Sequence, residues 1–309
     1  MNANQTSTHF TYINNPFVKS VWEGEIPIEF TLDPADAASL NTSVPEPHYA
    51  LIRRCSYFPL VTASIMSQLL APIESFDGKE ADIWYSYNMV PLKWNYPVGL
   101  LYDLHTTSQG TTPSTDGTCL PWKIAVHCKE YPGDKLIRSP SSNMARDYFM
   151  SIMKEADYLR NGSTKKVMNL SKKDQIQLWD SIIADNIQDF WLVNAQLITN
   201  DNQPPKHVPL RIYLPADCPV LQEPITVYKE NGEEYTIGEI FEILLPDLFK
   251  PSAEDSSTSS NEELNHPTLK ASALIHGVTL SLDTPLPWLY QNLSFPDNFL
   301  HIVIVLGNS

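Results

Sequence analysis

The sequence predicts an α+β fold in which two similar domains of strands and helices flank a helix-rich domain. Three observations lead to this prediction. The chain has 309 residues and is 42% hydrophobic, which is enough for more than one buried core. Apolar residues recur at helical intervals only within one long central stretch. The segments on either side of that stretch follow the same order of short strands and single helices.

The segment before the central stretch is predicted to contain four strands and two helices. Its strands combine β-branched and aromatic residues and are bounded by turn-forming residues. The predicted strands span residues 26–32, 49–53, 83–87 and 122–128, and the predicted helices span residues 60–70 and 98–104. A Pro-Leu-x-Trp turn at residues 91–94 leads from the third strand to the second helix.

The segment after the central stretch repeats this order. Its predicted strands span residues 208–213, 225–228, 271–275, 278–280 and 300–305, its main helix spans 236–244, and a short helix follows a second Pro-Leu-x-Trp at 285–288. Thr236 and Glu239 have the spacing of a capping box, which marks the start of a helix. A hairpin, a packed helix, further strands, a short helix and a final strand form the order of the ubiquitin-like β-grasp. An internal repeat of this length indicates that the fold is duplicated.

The sequence therefore predicts two ubiquitin-like β-grasp domains, at residues 16–132 and 205–309, flanking a helix-rich domain at residues 139–200. Residues 1–15 are predicted to form a flexible tail. Residues 251–265, which are rich in Ser and acidic residues, are predicted to form a disordered insertion in the second β-grasp domain.

Local signals refine the helical domain and the two tryptophan turns. Gly162 suits the end of a first helix, and Ser171 suits the N-terminus of a second one that continues to Leu197. Each Pro-Leu-x-Trp places a large aromatic ring where a strand leads into a helix. We therefore expect Trp94 and Trp288 to fill the two cores rather than to bind a ligand.

The charge distribution excludes one class of partner and leaves another open. A formal net charge of −15 argues against nucleic-acid binding, which requires Lys and Arg to neutralise phosphates. Residues 135–173 are the exception, with nine basic residues against three acidic ones, a local net charge of +6. This segment is either a solvated helix face or a surface for an acidic partner or lipid phosphates.

Signals for secretion, membrane insertion and common enzyme chemistry are missing from the sequence. There is no basic cluster followed by an apolar stretch at the start, and no apolar run approaches the roughly 20 residues of a transmembrane helix. No glycine-rich nucleotide motif, metal-binding His-Glu-x-x-His or Gly-x-Ser-x-Gly elbow occurs. We therefore expect a cytoplasmic protein without catalytic residues, cofactor or metal.

The four cysteines leave one enzymatic alternative. Cys55 and Cys128 lie beside apolar strands and are predicted to be buried, and no Cys-x-x-Cys pair occurs. Cys119 borders a loop rich in Thr, Ser and Gly, where a thiol can be exposed. A conjugation enzyme that carries its substrate as a thioester on Cys119 is therefore the alternative function.

Five sequence strings resemble one family. They are VWEGEIP at 21–27, PLKWNYPVGLLYDL at 91–104, FMSIMKEAD at 149–157, QDFW at 188–191 and FPDNFLHI at 295–302. Together they resemble the autophagy protein five family over roughly residues 17–306. The resemblance implies two ubiquitin-like domains around a helix-rich domain, as the element order also predicts.

The resemblance also implies a function. One lysine of the helical domain, here Lys154, forms an isopeptide bond with the C-terminal glycine of the ubiquitin-like autophagy protein twelve. The activating and conjugating enzymes, autophagy proteins seven and ten, are separate chains. The conjugate binds the N-terminal helix of autophagy protein sixteen and, with autophagy protein three as a transient partner, promotes transfer of autophagy protein eight to phosphatidylethanolamine. The protein is expected to reach the preautophagosomal membrane through this complex.

The residues themselves are compatible with this role for Lys154. On an α-helix Lys154 lies about 200° around the axis from Ile152, away from the apolar stripe. An acceptor lysine must protrude in this way, but so do most lysines. The 21 Lys and Arg residues include six arginines, so Lys154 is one of 15 lysines. Its assignment therefore rests on the resemblance.

Overall fold

A computed structural model of the protein describes residues 12–107, 120–138, 142–199, 205–215, 218–250 and 271–307. Within these residues the chain forms two five-stranded sheets with a group of helices between them in sequence. None of the described helices is both long and apolar enough to cross a bilayer. The predicted insertion at 251–265 and the loop containing Cys119 lie outside the described residues.

The N-terminal domain is a β-grasp in which one sheet covers a helix. Its elements are α1 (Pro16–Glu23), β1 (Glu25–Leu32), α2 (Pro34–Ser39), β2 (His48–Arg53), α3 (Phe58–Ile65), β3 (Trp84–Tyr87), β4 (Val90–Pro91), α4 (Val98–Thr107) and β5 (Trp122–His127). The strand order is β2-β1-β5-β3-β4, and only the central pair β1 and β5 is parallel. Alternate residues of β1 are buried beneath the helices, which explains why its sequence alternates.

Within the described residues the helical domain contains four helices, two more than the sequence predicts. They are α5 (Ser142–Asn161), α6 (Lys165–Met168), α7 (Lys172–Ile183) and α8 (Ile187–Ile198). The predicted caps are confirmed: Gly162 follows α5 with φ 66°, and the Ser171 hydroxyl accepts from Asp174 N–H at the start of α7. The single predicted second helix is wrong. The chain turns at Asp185, with φ 53°, and Asn186 caps α8.

The C-terminal domain repeats the N-terminal topology. Its elements are β6 (His207–Tyr213), β7 (Leu221–Thr226), α9 (Ile237–Leu244), α10 (Pro246–Phe249), β8 (Ala271–Ile275), β9 (Val278–Thr279), α11 (Leu286–Leu293) and β10 (Leu300–Leu306). The strand order β7-β6-β10-β8-β9, with β6 and β10 parallel, matches that of the first sheet. The fold class is therefore confirmed. The Thr236 and Glu239 capping box is also present.

Among the differences from the sequence prediction are the position of one strand and the exposure of one tryptophan. The strand expected at 225–228 instead spans Leu221–Thr226, because Leu221 and Gln222 pair with β6 although they carry no strong apolar alternation. Trp94 is buried as predicted. Trp288 is 37% exposed, so the prediction that it fills the core is wrong. On α11 the core-facing positions are taken by Leu286 and Leu289 instead.

The hydrophobic core crosses the domain boundaries. One cluster of buried residues lies within the N-terminal domain, whereas the larger cluster contains residues of all three domains. Tyr12, at the end of the predicted tail, stacks on Trp191 of α8 with ring centroids 4.4 Å apart. The predicted flexibility does not extend to this residue, because its ring has an aromatic face against which to pack.

Candidate functional site

Helix α5 positions the lysine that the sequence analysis singles out. Its buried residues Phe149, Met153 and Ala156 form the stripe that faces the core, with Met153 and Ala156 fully buried. Lys154 lies outside that stripe and is partly exposed. The backbone that carries Lys154 is thus fixed by packing on one side, while the Lys154 side chain remains partly exposed.

The carboxylate next to Lys154 is engaged elsewhere. Glu155 accepts hydrogen bonds from the Arg211 guanidinium at 2.8 Å and from the Gln222 amide at 2.6 Å, which tie α5 to β6 and β7. Within the described residues, no carboxylate lies within ion-pair distance of the Lys154 amine. The amine is therefore not held in a salt bridge that a reaction would have to break.

The C-terminal end of α5 is anchored in the interior. Arg160 is buried, donates to the Leu197 carbonyl at 2.9 Å and lies over the Tyr290 ring at 5.4 Å. The buried Asp157 carboxylate accepts from Val167 N–H at 3.2 Å. These contacts hold α5 against α6, α8 and α11, so Lys154 is carried by a rigid element rather than by a loop.

A second surface feature is an apolar cleft where the three domains meet. It is lined by residues of α1, α8 and α11, among them Val21, Trp22 and Trp191. On two of the helices that line it, Phe17 of α1 and Trp288 of α11 remain exposed and contact each other edge to face, with ring centroids 5.0 Å apart. Two exposed aromatic residues on adjacent helices beside an apolar cleft are typical of a protein-binding surface. The sequence patterns predict Trp288 in the core, so they do not reveal this exposed aromatic pair.

Two of the three described cysteines lie in the core. Cys55 and Cys128 are buried, as predicted, and burial raises the pKa of the Cys55 thiol to about 12 and that of Cys128 to about 11. Raised values keep both thiols protonated at neutral pH, which suits inert core residues. The third described cysteine, Cys218, is exposed. Cys119, the predicted thioester candidate, lies outside the described residues.

The fold brings together Ser86, His127 and Asp36, of which Ser86 and Asp36 are buried and His127 is partly buried, a group that the sequence did not predict. Ser86 Oγ lies 2.8 Å from His127 Nε2, and His127 Nδ1 lies 3.3 Å from Asp36 Oδ2. The spacing is that of a hydrolase triad. However, Ser86 is buried, and the Trp84 ring stacks on the His127 imidazole at 3.7 Å. With the nucleophile covered in this way, the three residues form a structural network that links β3, β5 and α2.

Comparisons with known proteins agree with this architecture. The family models Autophagy protein ATG5, UblA domain, alpha-helical bundle region and UblB domain match residues 21–128, 142–200 and 207–304 respectively. Autophagy protein 5 of Drosophila melanogaster is 31% identical, and the match covers 93% of this chain and 96% of that protein. The relative of the same name from Phaeosphaeria nodorum is also 31% identical with the same coverage. The chain belongs to the autophagy protein 5 family.

A solved structure shows the same fold. The crystal structure of Kluyveromyces marxianus Atg5 superposes with a TM-score of 0.71 at 24% identity, covering 92% of this chain and 97% of that one. The family models and the two relatives confirm the resemblance seen in the sequence strings. As a member of the autophagy protein 5 family, the chain has a role in autophagy, and its two ubiquitin-like domains flank a helical bundle as in the family models.

Proposed function

We propose that this chain is a non-catalytic scaffold whose Lys154 amine receives the C-terminal glycine of autophagy protein twelve through an isopeptide bond. The observation that carries the proposal is the position of Lys154. It lies on a helix anchored by buried contacts, it is partly exposed, and its neighbour Glu155 is bound to Arg211 and Gln222. The amine attacks the thioester that joins this glycine to a cysteine of the conjugating enzyme. The carbon–sulfur bond breaks as the carbon–nitrogen bond forms, so the enzyme's thiol is the leaving group and the amine gives up a proton.

The substitution Lys154→Arg tests this assignment directly. Arginine keeps the positive charge and the helix propensity but offers no competent amine. We expect the conjugate to be lost when the variant is incubated with autophagy proteins seven, ten and twelve and analysed on a denaturing gel. Lys172→Arg, at an exposed position of α7, is the matched control and should form the conjugate at the wild-type level. A full yield of conjugate from Lys154→Arg would refute the assignment.

The alternative function is a thioester enzyme acting through Cys119, and its adduct would respond to added thiol in the opposite way. A thioester adduct is cleaved by excess thiol, whereas an isopeptide bond survives it. We expect the adduct of this chain to persist on denaturing gels after thiol treatment and to form normally in Cys119→Ser. An adduct that thiol removes, and that Cys119→Ser abolishes, would establish the thioester enzyme instead.

The apolar cleft is the surface that we propose for the N-terminal helix of autophagy protein sixteen. Exposed Phe17 and Trp288 supply the aromatic anchors that an amphipathic helix requires. Trp288→Ser should weaken binding of that helix about thirtyfold or more in a titration, since aromatic anchors dominate interface energies. Tyr49→Ser, at an exposed aromatic residue of β2, is the control. Equal affinities of both variants would place the helix elsewhere. Conjugation through Lys154 should be unaffected by either change.

The proposed conjugate has a further role, in the attachment of autophagy protein eight to phosphatidylethanolamine. With autophagy protein sixteen bound, it would act like a ligase and promote transfer of autophagy protein eight from autophagy protein three to phosphatidylethanolamine. The chain would then be cytoplasmic and reach the preautophagosomal membrane as a peripheral member of the complex. This part of the proposal is supported by the shared family.

A further inference from the structure

A cavity of about 290 Å³ lies between the three domains, on a surface that none of the proposed contacts uses. Its walls come from the loop after β4, the loop after β5, helix α5 and strand β6. The residues that line it include Lys93, Tyr96, Lys135, Tyr148 and Arg211. The volume is near the lower end of the range of small-molecule sites, roughly 300–1,000 Å³.

The cavity is positively charged within a strongly acidic protein. Three cations line it, Lys93, Lys135 and Arg211, whereas none of its described lining residues is Asp or Glu. The whole chain has a net charge of −15. Arg211 is bound to Glu155, but Lys93 and Lys135 form no ion pair within the described residues. Cations brought together by packing repel one another unless an anion neutralises them.

The cavity also carries hydrogen-bond donors and an aromatic wall. Arg211 is held in place by Gln222 at 2.6 Å and by the Phe299 ring, whose centroid lies 4.0 Å from the guanidinium carbon. The Tyr148 hydroxyl accepts from the Asn95 amide at 2.6 Å and keeps its own proton for another acceptor. The Tyr96 ring lies beneath the Lys93 amine at 5.4 Å. A fixed guanidinium, two amines at exposed positions and a phenol form a donor set suited to phosphate oxygens.

We propose that this cavity binds a small phosphorylated molecule. A phosphomonoester carries about −1.5 to −2 charges at neutral pH, which matches two unpaired lysines, and it offers three acceptor oxygens to the surrounding donors. The tyrosine rings provide an apolar wall for the carbon skeleton. Such a ligand contacts all three domains at once and therefore stabilises their arrangement.

Calorimetric titration of the purified full chain with inositol trisphosphate, and separately with inorganic phosphate, tests the proposal. The double variant Lys93→Gln/Lys135→Gln removes two cavity charges from exposed positions and should weaken inositol trisphosphate binding by at least roughly tenfold. Lys123→Gln/Lys129→Gln changes the net charge equally at exposed positions of the same domain that do not line the cavity. It should keep the wild-type affinity. Thermal unfolding of both variants verifies that they fold.

Two results would overturn the proposal. One is that neither probe binds the wild-type chain. The other is that the two double variants lose affinity equally, because a general surface charge would then explain the binding. Vesicles of phosphatidylcholine with and without a phosphatidylinositol phosphate distinguish the source of the ligand. Vesicle binding that requires the phosphorylated lipid and is competed by inositol trisphosphate assigns a lipid headgroup. Binding of the soluble probe alone assigns a free phosphorylated metabolite.

Discussion

At the scale of single residues, Asp103 connects two domains through one buried carboxylate. It lies on α4 and is 2% exposed. Its oxygens accept from Arg54 Nη2 at 2.5 Å and from the Gly277 N–H of the C-terminal domain at 3.0 Å. Burial raises the pKa of Asp103, while the nearby Arg54 charge lowers it. Because Arg54 is also largely buried, removal of either partner leaves an unpaired charge in the interior.

The first prediction concerns this ion pair. Asp103→Ala should lower the free energy of unfolding by about 3 kcal/mol or more, because the Arg54 guanidinium loses its partner inside the protein. Urea unfolding followed by fluorescence measures the change as a lower midpoint. Asp147→Ala removes a carboxylate that is 72% exposed and 3.4 Å from Arg146. This control should change the free energy by less than about 1 kcal/mol. Similar midpoints for the two variants would contradict the prediction.

At the scale of elements, the β8–β9 hairpin both contacts the N-terminal domain and positions a histidine ring in the interior. Its two-residue turn consists of His276 and Gly277, with φ of 51° and 79°, as the twist of a tight hairpin requires. The same turn reaches the N-terminal domain through the Gly277 N–H. The His276 ring stacks on Phe295 at 4.0 Å, and its Nε2 donates to the Leu293 carbonyl at 2.9 Å. The hairpin therefore positions an imidazole in the interior beside the domain contact.

The second prediction concerns the pH dependence of this element. Burial lowers the pKa of His276 to about 3, partly opposed by its hydrogen bond to Leu293. Arg54 and His301 add to the lowering, and Asp297 opposes it. The unfolded chain binds the proton near pH 6.5, about the ordinary value for histidine. Stability from the neutral ring is therefore present above about pH 6.5 and is lost progressively as the pH falls toward 3.

His276→Asn tests this linkage, since asparagine tolerates positive φ but does not titrate. Its melting temperature should fall less than that of the wild type between pH 7.5 and pH 5, because the unfolded variant gains no proton at this position. Differential scanning calorimetry across this range provides the measurement. The same substitution at His207, on β6, controls for the removal of an imidazole elsewhere. Parallel pH profiles for His276→Asn and the wild type would rule the linkage out.

At the scale of the whole molecule, the three domains behave as one packed unit. The larger hydrophobic cluster includes residues of every domain. Polar contacts reinforce it where the helical and C-terminal domains meet. Asn194 and Asn298 exchange two amide hydrogen bonds in the interior, at 3.1 and 2.9 Å, and Arg211 binds Glu155. Isolation of the C-terminal domain would expose this shared surface to water.

The third prediction follows from the shared core. A fragment of residues 205–309 should lack a cooperative unfolding transition, because its buried Asn298 and its apolar face lose their partners in the helical domain. A fragment of residues 139–309 retains those partners and should unfold cooperatively. Near-ultraviolet circular dichroism during thermal unfolding compares the two. A sharp transition in the shorter fragment would show that the C-terminal domain is stable by itself.

Local signals in the sequence predicted the starts of helices well, because a helix cap depends on residues only a few positions apart. The capping box of Thr236 and Glu239 and the cap at Ser171 depend on residues three apart, so they could be identified without the fold. The break between α7 and α8 was missed, because the apolar period continues across it and the turn at Asp185 depends on contacts with Trp22 and Arg53 of the N-terminal domain.

The sequence by itself determined the duplicated β-grasp, the helical middle and, through the quoted strings, the family, while the role of Lys154 as the acceptor stays a prediction. These features depend on the order of elements along the chain and on short motifs. Only the tertiary structure decided that Trp288 is exposed beside Phe17, that Asp103 joins two domains, and that Lys93, Lys135 and Arg211 line one cavity. The physical reason is that each of these sites combines side chains far apart in sequence. Burial and electrostatic interactions depend on distances in space, which are set only when the three domains pack together.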